Sequence, residues 1–177
     1  MPRPPSRSEH PAAPPRGSRH LRRLPPLLLS REGRLLKASA FIDGAARGNP
    51  GPAGWGAFLR TEDGRVIEAW GFLGATTNNV AEYSGLLAAL DLAAAEGVTE
   101  LEIVSDSQLL VRQMLGEYRV RHANLAPLFL EAQKGRRRFR RFAIRHVLRA
   151  ENAEADRLAN RAVDSRSDGR EERKVDE

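Results

Sequence analysis

Four carboxylates, Asp43, Glu82, Asp106 and Asp156, stand where a folded chain could bring them to one point. Asp43 ends the apolar run ASAFID and Asp106 ends LEIVSD. Acids that close buried strands emerge from a core at the carboxyl end of a sheet, where ligands collect. Glu82 and Asp156 fall in the opening turns of two predicted helices, where unpaired amides and the helix dipole favour negative charge. Four such groups in one partly dry cleft repel one another and raise their own pKa values, so the cluster persists only by binding cations. Oxygen ligands of this hardness suit Mg²⁺ or Mn²⁺. Each acid alone has a plainer reading: a turn-forming Asp at 43 and 106, a solvated or helix-favouring acid at 82 and 156.

The elements that must position them follow from periodicity and punctuation. Ala38 to Asp43 reads as a buried strand, followed by the Gly/Pro/Asn loop GAARGNPGP. Gly54 to Arg60 and Val66 to Gly74 read as two strands joined by the turn TEDGR, hence a hairpin. Asn78 is the predicted cap of a long helix in which Val80, Tyr83, Leu87, Leu90 and Ala94 share a stripe and which Gly97 stops. Leu101 to Asp106 is a further strand, Ser107 to Leu115 and Leu125 to Gln133 read as helices, and Phe139 to Val147 alternates as a strand. Asn152 is the predicted cap of a last helix through Val163.

Composition bounds the rest. The 177 residues with 41% apolar content support one ordinary core, predicted over residues 37–165. The formal charge of +6 is concentrated in residues 1–36, a Pro/Arg-rich segment that reads as a disordered basic tail; the remainder balances 21 basic against 21 acidic residues. The tail's arginines could add affinity for nucleic acid or act as an organelle presequence, which its prolines argue against; an inert tail is the plain alternative. Residues 166–177 are charged and apolar-poor and read as a second disordered tail. Cysteine is absent, so thiolate metal sites and thiol nucleophiles are excluded. The apolar run LPPLLLS is short and broken by Pro25 and Pro26, so the expectation is a soluble, cytoplasmic monomer without a membrane partner.

The ordered segments FIDGAARGNPGPAGWGAFL, TTNNVAEYSGLLAALDLA, VSDSQLLVRQM and ENAEADRLAN resemble the four signature blocks of type 1 ribonuclease H, over roughly Ala38 to Val163. That resemblance implies an α/β ribonuclease H-like fold: a five-stranded mixed sheet, three strands antiparallel and then two parallel, flanked by helices. It also implies a two-metal endonuclease that cuts the RNA strand of RNA/DNA hybrids to 5′-phosphate and 3′-hydroxyl products. By the family pattern Asp43 bridges both ions, Asp156 completes the site of the attacking water, and Glu82 with Asp106 completes the site facing the leaving oxygen. Asn49, Asn78, Asn79 and Gln108 resemble residues that face the minor groove, where 2′-hydroxyls tell RNA from DNA. Thr77 matches a position that grips a DNA-strand phosphate. Turn and capping chemistry is the alternative for the asparagines. Double-stranded RNA stays open as a further substrate. A non-catalytic hybrid-binding module on the same fold, or an exonuclease or resolvase of the superfold, are the competing readings.

Two departures from the family pattern stand out. The Trp- and Lys-rich protrusion after the second helix is replaced by the short GEYRVRHANLAP, and the candidate substitute is the arginine run containing Arg136, Arg137 and Arg138. A solvated charge run is the alternative. The Gly-rich loop that carries the family's mobile histidine is missing. His146 has the family's spacing from Asp156 without gaps, but a gapped alignment places it inside the strand, which favours a structural or groove-side role. Arg149, beside the shortened loop, is then the candidate for assisting turnover and product release.

Overall fold

The computed structural model describes residues 33–175. The elements run β1 (Lys37–Ala46), β2 (Gly51–Thr61), β3 (Arg65–Thr76), α1 (Asn78–Ala95), β4 (Glu100–Ser105), α2 (Gln108–Met114), α3 (Ala126–Arg136), β5 (Arg141–His146), α4 (Ala153–Ser165) and β6 (Gly169–Lys174). They form one sheet in the order β5-β4-β1-β2-β3-β6. Strands β1, β4 and β5 are mutually parallel, whereas β1–β2, β2–β3 and β3–β6 are antiparallel.

Period-two alternation divides the core between the two faces of the sheet. Ala40, Ile42, Ala57, Leu59, Ile67 and Ile103 pack with Tyr83, Leu86 and Leu90 of α1 and with Leu110 and Met114 of α2. On the other face Phe41, Phe58, Val66 and Trp70 meet Leu158 and Ala162 of α4. Helix α4 buries Ala155, Leu158, Ala159, Ala162 and Val163, the i, i+3, i+4, i+7, i+8 stripe of an amphipathic helix. Two glycines set how closely helices approach the sheet. A Cβ on Gly56 would lie 2.6 Å from the Ala159 nitrogen of α4. One on Gly44 would collide with the backbone at Glu82, so β1 and the first turns of α1 touch directly beside Asp43.

Helix α1 ends as its sequence predicts: Gly97 adopts φ +78° and donates to Ala94 O, while Val98 donates to Ala93 O. Its start is one residue earlier than expected. The cap is Thr77, whose side chain accepts from the Val80 amide, and Asn78 is already helical. The expected stripe also shifts: Ala81, Leu86, Ala89 and Ala93 are buried alongside Tyr83 and Leu90, whereas Val80, Leu87 and Ala94 are only partly covered. Small alanines let the helix lie close to the sheet, so the buried face is broader than the large apolar residues mark out. Asn152 also departs from expectation. It makes no capping hydrogen bond but is buried at the end of a 3-10 turn (Arg149–Asn152), where its amide donates to the Ile42 carbonyl at 2.9 Å.

The sheet has six strands rather than five. Residues 169–174, expected within a disordered tail, pair with β3 from Trp70↔Gly169 to Arg65↔Lys174. The reason is electrostatic as well as main-chain: the carboxylate of buried Glu68 receives Arg157 at 2.7 Å and Arg173 at 3.2 Å, and Arg161 bridges to Glu171 at 3.1 Å. Arg170 anchors the strand to Glu96 at 2.6 Å. An edge strand of this kind buries no apolar stripe of its own. The tail expected over residues 1–36 falls outside the described residues up to residue 32; Leu36, at its end, is fixed by its amide donating to Thr99 Oγ1 at 2.9 Å.

Candidate active site

Parallel pairing of β1 and β4 brings Ile42 opposite Ser105, so Asp43, still within β1, lies beside Asp106, which follows the last residue of β4. The close approach at Gly44 delivers Glu82 from α1 to the same place. Asp43, Glu82 and Asp106 each present a carboxylate oxygen within 4.8 Å of the others. Asp156, in the first turn of α4, completes the wall of the same cleft, about 440 Å³ in volume. Asn152 sets that helix: its bond to the Ile42 carbonyl ties the start of α4 to the residue before Asp43. All four acids expected at the site therefore line one cleft.

Asp43 is the hub. Its carboxyl is pushed up to about 8 from an ordinary 3.8 by burial, by the charge of Asp106, by a hydrogen bond with Asp156 and by Glu82, against one stabilising bond from the Gly44 amide. Glu82 is pushed up to about 7, mainly by burial and also by Asp106, while Ser107 and Asn78 hydrogen-bond to it and pull the other way. These groups resist carrying their full negative charge without a compensating cation, the condition a hard divalent ion relieves.

The residues expected to meet nucleic acid divide into two groups. Asn49 and Asn78 stand at the cleft's rim, joined by the Asn78 amide donating to Asn49 Oδ1 at 3.2 Å, and the Asn78 side chain donates to Glu82. Asn79 follows on the same helical turn and is partly exposed. Gln108 is exposed two residues beyond Asp106, at the start of α2. Thr77 spends its hydroxyl oxygen on the Val80 amide. Arg136, Arg137 and Arg138 lie elsewhere: they precede the start of β5, whereas the carboxylates gather beyond the other ends of the parallel strands. The length of β5, about 17 Å at a rise near 3.3 Å per residue, separates the two. Arg136 stacks over Phe142 and reaches the Met114 carbonyl, and Arg138 pairs with Asp91 at 2.9 Å. Much of that run serves local packing.

His146 is the last residue of β5, and its Nε2 lies 3.2 Å from the Asp106 carbonyl oxygen. Arg149 lines the cleft, 3.7 Å from Asp156 Oδ1. Arg47 and Asn160 also line it, and neither stood out in the sequence. The one available signal was the i, i+4 spacing from Asp156 to Asn160 on a helix. No helix among the described residues is long and apolar enough to cross a membrane.

Comparison with known proteins agrees with this geometry. A family model described as "Reverse transcriptase-like" matches residues 41–162. The "Bifunctional protein Rv2228c" of Mycobacterium tuberculosis is 48% identical over 132 residues, covering 73% of this chain but only 36% of that relative's length. "Ribonuclease H" of Pseudomonas savastanoi pv. phaseolicola is 34% identical over 139 residues, covering 70% of this chain and 91% of the relative. Among solved structures, LC11-RNase H1 in complex with an RNA/DNA hybrid superposes with a TM-score of 0.67 at 38% identity, covering 74% of this chain and 98% of that one.

Proposed function

Because this chain belongs to the type 1 ribonuclease H family, we propose that it hydrolyses the RNA strand of RNA/DNA hybrids endonucleolytically, leaving 5′-phosphate and 3′-hydroxyl ends. The observation that carries this reading is the convergence of Asp43, Glu82 and Asp106 within 4.8 Å, with Asp156 lining the same cleft. A non-catalytic module has no use for buried acids that repel one another.

The donor set fits two Mg²⁺ ions, with Mn²⁺ as a substitute: every ligand is a carboxylate, and the buried members are those whose charge most needs a cation. When bound, a pair of such ions activates the attacking water and neutralises charge on the attacking and leaving oxygens. Asp43, which interacts with all three other acids, is the residue suited to bridge the ions. Asp156 lies on the α4 side of it, and Glu82 and Asp106 on the α1 and β4 side.

The rim holds the duplex. Asn49, Asn78, Asn79 and Gln108 present amides that read 2′-hydroxyls and base edges across a minor groove. Arg149 supplies a cation at the cleft mouth that draws the scissile phosphate and assists product departure in place of a loop histidine. The arginine run at the far end of β5 adds long-range attraction rather than the grip itself. One assay tests the whole reading: a single sequence presented as RNA/DNA, RNA/RNA, DNA/DNA and single strands, with and without Mg²⁺. Internal cleavage of the RNA strand in the hybrid, dependent on the ion and insensitive to blocked ends, is expected; cleavage of DNA/DNA at an equal rate would overturn it. The RNA/RNA arm decides whether double-stranded RNA is a second substrate.

A further inference from the structure

Asp156 is held differently from the other three acids. Asp43 is buried within β1, and Glu82 is buried with Asn78 and Ser107 bonded to it. The Asp156 side chain is 33% exposed and projects from the first turn of α4, so its rotamer depends on neighbours at the edge of the cleft. Asn160, one turn later, takes that part: its Nδ2 donates to the Asp156 backbone oxygen at 2.9 Å and to Oδ1 at 3.3 Å. An amide side chain can flip to present either its oxygen or its nitrogen, and Arg47 decides which. Arg47 Nη2 donates to Asn160 Oδ1 at 3.1 Å, and the same nitrogen meets Asp164 Oδ1 at 2.8 Å. With its oxygen claimed by Arg47, Asn160 has only its N–H groups to offer Asp156. Arg47 belongs to the β1–β2 turn that also carries Asn49, whose oxygen meets the start of α1.

We propose that Asn160 and Arg47 are positioning residues for Asp156, a relay that holds this carboxylate turned toward Asp43 and ties its orientation to the loop on the hybrid-facing rim. The relay uses a neutral donor at the carboxylate and keeps the guanidinium one residue away. The relay thereby orients the carboxylate without adding a second guanidinium to Arg149, which lies 3.7 Å from the same Oδ1 that Asn160 approaches.

This inference rests on the metal-dependent reading above, and its test separates the two. Mn²⁺ is titrated calorimetrically into hybrid-free protein, and kcat and KM are measured on an RNA/DNA hybrid. Asn160→Ala keeps a good helix former in α4, so folding is not at stake. A hydrogen bond to a charged group is worth enough that this variant should weaken Mn²⁺ binding and lower kcat by about tenfold each, with KM for the hybrid unchanged. Arg47→Ala should reproduce the loss, Arg47→Lys should restore most of it, and the double alanine variant should be no worse than Asn160→Ala alone. Wild-type Mn²⁺ affinity and kcat in Asn160→Ala would overturn the relay. So would a raised KM with unchanged Mn²⁺ affinity, which would make both residues duplex contacts, or fully additive losses in the double variant. If the wild-type protein takes up no Mn²⁺, the carboxylate reading itself fails and the relay falls with it.

Discussion

The side-chain amide of Asn152 donates to the Ile42 carbonyl at 2.9 Å from a buried position, joining the start of the last helix to the strand residue immediately before Asp43. Two cleft acids far apart in the chain are thereby set by one hydrogen bond. Asn152→Ala removes it and leaves a gap at the α4–β1 contact; the expected loss of stability is about 1–3 kcal/mol, together with a larger fall in kcat than change in KM. Thermal denaturation and steady-state cleavage measure the two effects, and unaltered kcat would show that the α4 packing alone holds Asp156.

Asp43→Asn should abolish cleavage while stabilising the metal-free fold. The carboxyl of Asp43 is raised to about 8 in the folded state against an ordinary 3.8, so the native protein keeps a proton that the unfolded chain releases. Stability contributed by this proton is complete below the unfolded value and is lost as pH rises through the folded one. Asparagine keeps the shape without the charge, so the variant should melt several degrees above the metal-free wild type at pH 8, with the gap closing toward pH 4. Equal melting temperatures at pH 8 would contradict the packing of Asp43 among the other acids.

Adding Mg²⁺ or Mn²⁺ should raise the melting temperature of the wild-type protein, because a ligand at a hundred times its dissociation constant stabilises a fold by about 2.7 kcal/mol. Asp43→Asn should lose most of that rise. Cleavage should cease in excess chelator; undiminished cleavage there would remove the cation from the reaction.

His146→Ala should cost far less than Asp156→Asn. The imidazole ends β5 beside the Asp106 carbonyl, whereas Asp156 lines the cleft itself. Removing a group that stabilises charge in a transition state typically costs about a hundredfold or more, so Asp156→Asn should fall at least that far in kcat. Comparable losses in both variants would return the histidine to turnover.

Truncation after Ser167 should lower the melting temperature by several degrees without changing the metal requirement. The shortened chain loses the β3–β6 ladder, the Arg173 partner of buried Glu68 and the anchor from Arg170 to Glu96. An unchanged melting temperature would mean that β6 does not add to the fold.

The four cleft acids were legible because each lies near a boundary that apolar periodicity marks. An apolar run that ends in Asp announces both the element and the acid, although β1 itself continues past Asp43 to Ala46, three residues into the stretch read as a loop. β6 was not legible, since GREERK has no apolar alternation and is held by partners on β3, α1 and α4 that only folding supplies. The arginine run showed its charge but not its pole: which end of β5 faces the acids depends on strand direction in the sheet. Asn160 and Arg47 are 113 positions apart, and a polar pair at that distance leaves no periodic trace. Thr77 also caps α1, accepting from the Val80 amide, a role that uses only a lone pair and leaves its O–H to donate.

Asp156 enters the cleft from α4, which the ribosome makes after every other wall of that cleft is already translated. A nascent chain that has made β1 through β5 thus holds three of the four cleft acids, and the fourth wall closes only when the final helix docks on the sheet.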